Sequence, residues 1–329
     1  MEIKIISSEE LGNLMKEFSS VLVTGGAGFI GSHLVDWLIN KGYEVIVLDN
    51  FRSGKMENIS RHLKNDHFRL VIGDVRDKKT LRSALNGVDA ILHLAALISV
   101  EESLKNPAET HEVNVIGTLN LLQEAVRGNV KKFVYASSTA VYGEANSLPL
   151  REDCPLKPIS PYASSKAASE CYCTAFHRSY GLGTVILRYF NVYGPRQEHN
   201  PYGGVIPRFI NNALTGRPLV VFGNGEQTRD FIYIDDVVRA TILALESSDS
   251  VGETFNICVG KRTTINNLVR LIKRVTGKKN LQKIYDKPRK GDIRDNYGDP
   301  SKAEETLGFK AKINLEEGLK RYLKSVQKS

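Results

Sequence analysis

The stretch that most constrains this chain is Val21-Leu22-Val23-Thr24-Gly25-Gly26-Ala27-Gly28-Phe29-Ile30-Gly31. A short apolar strand runs straight into a glycine-rich turn, and a helical pattern through Leu34, Trp37 and Leu38 follows. Strand, glycine turn and helix in that order make a phosphate-binding unit. The glycines let the backbone turn tightly against a pyrophosphate, and the helix N-terminus then stabilises its charge. The spacing satisfies both Gly26-x-Gly28-x-x-Gly31 and Gly25-x-x-Gly28-x-x-Gly31, so it does not choose between classes of dinucleotide fold. A second strand over 44–48 leads to Asp49, about 20 residues beyond Gly28, where a carboxylate accepts hydrogen bonds from ribose hydroxyls and repels a 2′-phosphate. NAD is therefore expected rather than NADP. Arg52 argues the other way, because an arginine nearby would take that phosphate.

The alternation repeats. Strand patterns over 68–72, 90–94 and 133–135 lead into Gly73-Asp74-Val75, Ala95-Ala96 and Ala136-Ser137-Ser138-Thr139. Helical patterns over 78–85 and 112–125 lie between them. This predicts an α/β fold with a Rossmann, doubly wound parallel sheet and ligands at the C-terminal strand ends. Asp74 at such an end is either a contact to an adenine amine or a plain turn aspartate. His93, alone in an apolar strand, reads as a satisfied structural imidazole.

The expected organisation is an N-terminal extension over 1–20, a dinucleotide-binding domain over 21–190 and a smaller, discontinuous α/β substrate-binding domain over 191–329. The extension carries Ser8-Glu9-Glu10 before Leu11, Leu14, Met15 and Phe18, the pattern of a short amphipathic helix. After a strand over 184–187, patterns at 231–234 and 254–257 are expected to return to the first domain, within segments near 230–258.

No stretch reaches the ~18 apolar residues of a membrane span, and the N-terminus shows no signal-peptide core. Cys154, Cys171, Cys173 and Cys258 fit no zinc or thioredoxin spacing, so a reduced, cytoplasmic setting without a metal is expected. Charge is uneven: from Lys261 onward there are 19 basic and 8 acidic residues, against 26 and 29 before it. The basic residues are interspersed rather than blocked, which reads as solvated helix faces, and no aromatic–basic RNA-binding pattern accompanies them. Neither nucleic acid nor membrane is an expected partner.

Tyr162-Ala163-Ser164-Ser165-Lys166 places a tyrosine and a lysine one helical turn apart, able to serve one site. A free tyrosine, with a pKa near ~10, is a poor base at neutrality. A lysine charge ~4 Å away at an effective dielectric of ~20 is worth ~4 kcal/mol, or ~3 pK units, which would bring the phenol near ~7. Alone, such a pair is most often an exposed helix-face contact. The glycine turn upstream and the serine run give it chemical meaning.

The motifs together resemble an extended short-chain dehydrogenase/reductase, and most of all the UDP-glucose (UDP-galactose) 4-epimerase group. They are Thr24–Gly31, Gly73-Asp74-Val75, His93-Leu-Ala-Ala96, Ser137-Ser-Thr-Ala-Val-Tyr-Gly143 and Tyr162-x-x-x-Lys166, in that order. The likeness continues through Arg188-Tyr-Phe-Asn-Val-Tyr-Gly-Pro195 and Phe222-Gly-Asn-Gly-Glu-Gln-Thr-Arg-Asp-Phe231. It ends near Gly291-Asp-Ile-Arg294 and Asp299-Pro-Ser-Lys302. It covers the chain from about Val21 onward.

The resemblance implies site residues. Tyr162 is the catalytic acid/base, Lys166 binds the nicotinamide ribose and lowers the tyrosine pKa, and Ser138 bridges the substrate 4-oxygen. NAD contacts are implied at Gly25, Gly28, Phe29, Ile30, Gly31, Asp49, Asn50, Asp74, Val75, Leu94, Ala95 and Ala96. A UDP-sugar is implied at Ser138, Thr139, Tyr162, Asn191, Gly204, Val205, Val220, Phe222, Arg229, Arg289, Asp292 and Asn296. For Ser137, backbone capping at the strand end is the expected role. Related dehydratases carry Asp-Glu immediately after the catalytic hydroxyl, and uronate decarboxylases carry Glu at the second of these positions. Here the residues are Thr139 and Ala140, which leaves oxidation at C4 and its reversal, hence epimerisation.

Asn296 falls where glucose-restricted epimerases carry a tyrosine, so N-acetylated sugars are expected to fit as well, unless Tyr297 fills the space. Ile98 stands where some glucose-type members carry lysine. A uronic-acid substrate, a dehydratase, a keto-sugar reductase and a non-catalytic dinucleotide- or RNA-binding module stay open as alternatives. The resemblance also implies a homodimer through helices over 108–127 and 161–180.

Overall fold

A computed structural model describes residues 18–144, 147–197, 204–288 and 293–327. The amphipathic pattern expected before Phe18 therefore lies outside the described residues, as do Arg289 and Asp292.

Seven parallel strands form the central sheet: β1 (Ser20–Thr24), β2 (Glu44–Asp49), β3 (Phe68–Ile72), β4 (Ala90–His93), β5 (Lys132–Ser138), β6 (Gly183–Tyr189) and Thr254–Ile257. Their spatial order runs from Thr254–Ile257 at one edge through β6, β5, β4, β1 and β2 to β3. The chain order reverses between β1 and β4. There the connecting segments diverge and leave a crevice above the C-terminal strand ends. The sequence sets this up by making the central strands apolar on both faces, as parallel strands with helices on either side require. Val21, Val23, Val45, Val47, Leu92 and Val134 enter one core, and Leu22, Ile46, Leu48, Ile91 and Phe133 enter the other.

Helix α1 (Phe29–Asn40) leaves the glycine turn, and a long helix over Pro161–Tyr180 lies against β5 and β6. The sequence fixes where that long helix begins and ends. Ser160 accepts a hydrogen bond from the Ala163 amide at 3.1 Å, Pro161 occupies the first turn, and Gly181 closes the far end with φ 72°. The pattern expected over 112–125 divides into a π-helical turn, Glu112–Ile116, and the helix Gly117–Arg127. Buried Asn114 in that turn donates to Leu97 O at 2.9 Å and to the Ser165 hydroxyl at 2.9 Å, so the irregular turn carries side-chain bonds to the next layer.

Of the two segments expected to return to the first domain, Thr254–Ile257 joins the main sheet beside β6, and Phe231–Tyr233 pairs in parallel with Asn191–Tyr193 in a separate two-stranded sheet. A four-residue apolar stretch satisfies either position equally, and only the helix after it, Ile234–Glu246, returns to pack against α1, β5 and β6. Leu219–Phe222 pairs with Lys283–Asp286 in another small sheet, and Thr228–Arg229 with Thr263–Thr264.

Candidate active site

The crevice at the sheet's switch point is a cavity lined from both halves of the chain. Its floor is the glycine turn, with Gly25, Gly28, Phe29, Ile30 and Gly31. Side chains are excluded there by geometry. A Cβ at Gly31 would lie 2.2 Å from Gly25 O, and Gly25 itself sits at φ +69° with its missing Cβ 2.9 Å from Ala95 N. The turn thus brings bare backbone to the mouth of α1, the arrangement a pyrophosphate needs.

At the end of β2, Asp49 is buried and accepts from Ala27 N at 2.9 Å and Phe51 N at 2.8 Å. Burial raises its carboxyl pKa, and those two amides oppose the rise. Asn50 donates to Asp74 at 2.9 Å, and Arg76 grips Asp74 with two bonds of 2.8 Å. The Arg76 guanidinium, ahead of the opposing burial, holds Asp74 down to about 2. Asp74 is thus a charged, side-chain-anchored group facing the cavity together with Val75. Leu94, Ala95 and Ala96 line the wall between β4 and the helices that follow. An acid at the end of β2 beside a glycine cradle fits a dinucleotide, and it is the fit expected for NAD.

The chemical end of the cavity is built by β5 and the long helix. Ser138, Tyr162 and Lys166 all line it. Ser138 also accepts from Ala140 N at 3.2 Å, so its hydroxyl is oriented by the turn it caps. Ser137 lines the cavity but sends its hydroxyl to the Glu170 carboxylate rather than to backbone, correcting the capping role expected for it. Lys166 is buried and donates to Ala136 O at 2.8 Å, with its ammonium 4.9 Å above the Tyr135 ring. Burial lowers its pKa to about 8.

The electrostatics of Tyr162 differ from expectation. Burial raises the phenol above its ordinary value and the Ser138 hydroxyl pulls it back, while Lys166 is not among the groups that move it. Helical spacing reports which face a residue occupies; it is silent on desolvation and on where the ammonium spends its hydrogen bond. His93 behaves as read: it is buried between the Thr24 hydroxyl at 2.7 Å and the Thr118 hydroxyl at 2.9 Å.

The residues expected around a substrate divide. Asn191 lines the cavity and donates to Asp230 O at 3.1 Å. Thr139 lies behind Ser138, buried, and meets Asn296, so those two come together beneath the wall rather than on it. Gly204 and Val205 open the helix Val205–Leu214, and Val220 and Phe222 lie on Leu219–Phe222. Arg229 donates to Thr228 O at 2.6 Å. None of these last five belongs to the wall of the described cavity.

Sequence reasoning missed Tyr189, Phe190, Val192 and Gln197 on the cavity wall. The first three occur inside a quoted motif and Gln197 two residues beyond it, yet no chemical signal marks them. Their segment is held by Asp36 on α1, which takes Arg196 at 2.7 Å and His62 at 2.7 Å as well as Arg61. Sequence reasoning also passed over Asp230, which accepts from Val259 N at 3.0 Å and Gly260 N at 2.9 Å and is pushed by burial up to about 6.

Residues 21–258 match the NAD dependent epimerase/dehydratase family. A Methanocaldococcus jannaschii protein provisionally named a UDP-glucose 4-epimerase is 45% identical over 304 residues, covering 92% of this chain and 96% of that protein. The crystal structure of a Thermotoga maritima UDP-glucose 4-epimerase with UDP-glucose superposes with a TM-score of 0.89 at 43% identity, covering 94% of this chain and 99% of that one. A UDP-N-acetylglucosamine 4-epimerase from Methanobrevibacter ruminantium, in complex with UDP-N-acetylmuramic acid, gives 0.89 at 41% identity over 95% and 99%. Among the described residues no helix is long and apolar enough to cross a membrane, and no cluster of side chains is suited to a metal. Glycine cradle, carboxylate at the end of β2, and serine, tyrosine and lysine on one cavity wall agree with these matches, and the chain belongs to the NAD dependent epimerase/dehydratase family.

Proposed function

We propose that this chain interconverts UDP-sugars at C4, with UDP-galactose and UDP-glucose as its basic pair. The observation that carries the reading is the pairing of Ser138 with Tyr162 on the cavity that the glycine turn floors, followed by Thr139 and Ala140 in place of acids. Without a carboxyl group after Ser138, those two positions offer nothing to move the C5 proton that a dehydratase must move.

Gly25, Gly28 and Gly31, with the Phe29 and Ile30 amides, would hold the pyrophosphate of NAD. Asp49 would hold its adenosine ribose; Asn50, Asp74 and Val75 the adenine side; and Leu94, Ala95 and Ala96 the wall beyond. When bound, NAD supplies a reversible hydride acceptor at the sugar's C4. Tyr162 takes the proton of the 4-hydroxyl and returns it, and Ser138 bridges the same oxygen so that the proton has a short path. The role asks the Lys166 charge, one helical turn away, to offset the burial that raises the phenol. Binding energy belongs on the UDP, through Asn191 and Arg229 with Gly204, Val205, Val220 and Phe222. A loosely held sugar can then present either face.

The substrate-binding domain is taken as residues 191–329, interrupted by segments that return to the sheet. We also propose a homodimer through the helices over 108–127 and 161–180, where the exposed Tyr172 and Tyr180 of the second helix offer apolar contacts and the neighbouring helix Val100–Lys105 adds Val100 and Leu104. A cytoplasmic setting agrees with four free cysteines.

Asn296 supports a wider reading in which UDP-GlcNAc and UDP-GalNAc are also substrates. It is buried, and its short side chain is turned onto Thr139. The test is incubation of the purified protein with UDP-galactose without added NAD, reading the nucleotide-sugar pool by chromatography. UDP-glucose should appear. No conversion, even with NAD supplied, would overturn the proposal and move the weight to a uronate epimerase, a dehydratase or a keto-sugar reductase. A steady absorbance change with added NADH would mark the reductase.

A further inference from the structure

Arg52 lies three residues beyond Asp49 and lines the same cavity. An arginine so placed is the ordinary partner of a 2′-phosphate on the adenosine ribose. Its guanidinium does not turn that way. Nη2 donates to Glu102 Oε1 at 2.6 Å and to Glu109 Oε2 at 3.3 Å, while Nη1 bonds Glu109 Oε1. Glu102 lies on the helix Val100–Lys105 and Glu109 on Pro107–His111, both reached through the wall residues Leu97 and Ile98. Arg52 thus spans from one wall of the cavity to the elements behind the other. Arg76, the neighbouring guanidinium, is likewise spent on Asp74 at 2.8 Å.

We propose that Glu102 and Glu109 are specificity-determining residues for the cofactor: by holding Arg52 across the cavity they leave the Asp49 carboxylate unopposed at the adenosine ribose, so a 2′-phosphate is rejected. The proposal rests on the reading that Asp49 holds that ribose. The physics is competition for one cation. The Arg52, Glu102 and Glu109 side chains are about one-third exposed, so each ion pair is screened and individually weak. Two carboxylates closing on one fork nevertheless fix its direction, and direction decides whether the charge meets Asp49 or a phosphate. Glu109 also adds a raising influence on the Arg76 pKa, so one carboxylate acts on both arginines at this end of the cavity.

The protein and its E102Q/E109Q variant should be titrated with NADH and NADPH by fluorescence. Glutamine keeps the size and removes the charge. The wild type should favour NADH. In the variant, affinity for NADPH should rise at least about tenfold while NADH changes less than about twofold, and the gain should shrink at high salt. Adding Arg52→Ser should erase the gain, and a single E109Q variant gives a milder test in a less altered protein. A wild type that binds both cofactors equally would remove the Asp49 reading itself. Discrimination unchanged by E102Q/E109Q, or a gain that survives loss of Arg52, would overturn the role assigned to the two glutamates.

Discussion

Asn296 donates from Nδ2 to Thr139 Oγ1 at 3.1 Å, joining residues 157 apart in a pair buried on both sides. Because Thr139 follows Ser138 directly, the pair braces the strand end that carries the proposed substrate-bridging hydroxyl. Asn296→Ala would strand the Thr139 hydroxyl without its partner, and should cost about 1–3 kcal/mol in urea denaturation. Asn296→Tyr tests the proposal that residue 296 sets the room for an N-acetyl group. A ring too large for this site must push toward the cavity, so turnover of UDP-GlcNAc should fall at least about tenfold relative to UDP-glucose, since a clash acts against the larger sugar only. Equal losses on both sugars would mean that residue 296 does not face C2.

Tyr162→Phe keeps the buried ring and removes the hydroxyl proposed to transfer the proton. Conversion of UDP-galactose should fall by about 10²–10⁴-fold while cofactor binding is retained, because general acid–base catalysis contributes on that scale. Ser138→Ala should lose activity too, with less effect on affinity for NAD, since its hydroxyl adjoins the phenol at the far end of the cavity from Asp49. Retention of full activity by Tyr162→Phe would assign the proton to another residue.

Much of this site was readable beforehand, and what was readable was local. The glycine turn, Asp49, Asp74 and the Tyr162–Lys166 spacing each lie within one strand–turn–helix unit, where chain geometry fixes what neighbours what. The pairs Thr139–Asn296 and Arg52–Glu102 join segments far apart in sequence, and no periodicity reports which side chain turns toward which. The pairing of Phe231–Tyr233 with Asn191–Tyr193 is unreadable for a related reason: a short apolar stretch says that a strand is buried, not beside whom. The Tyr162 phenol lies above rather than below its ordinary value because burial raises it, and the lysine expected to lower it commits its ammonium to Ala136 O.

Glu170 and Arg188 form a buried ion pair beneath the serine run, with Arg188 Nη2 to Glu170 Oε2 at 2.7 Å and side chains only 5% and 6% exposed, respectively. Ser137 donates to the same carboxylate, and Arg188 donates to the Tyr142 hydroxyl at 2.8 Å. Removing one partner leaves an unpaired charge in the core, so Arg188→Met should destabilise by about 3–5 kcal/mol. Replacing both, in E170M/R188M, should cost less than the single change, because no charge is then buried alone. Chemical denaturation of the three proteins decides it, and a double variant less stable than the single one would refute the unpaired-charge argument.

His93 makes stability depend on pH. The Thr118 hydroxyl donates to Asn114 O at 2.5 Å, so toward His93 it accepts, which assigns the ring proton to Nε2 and leaves Nδ1 to accept from Thr24. A protonated ring would carry a second donor facing Thr24, whose oxygen already accepts from the Leu94 and Ala95 amides at 3.2 Å each. Burial, joined by the Lys166 charge, lowers the pKa from 6.5 to about 3. Between those values the unfolded chain takes up a proton that the folded chain refuses, so the stability contributed above pH 6.5 drains away as pH falls, by up to about 1.4 kcal/mol per unit. His33, lowered to about 4, acts in the same sense, and Asp230, raised to about 6, acts in the opposite one. Comparison with His93→Gln cancels both. The variant should be less stable than wild type at pH 7 and recover about 2 kcal/mol of that deficit by pH 5. Urea midpoints measured at the two pH values check this, and a deficit that stays constant between them would show that His93 does not remain neutral in the folded protein.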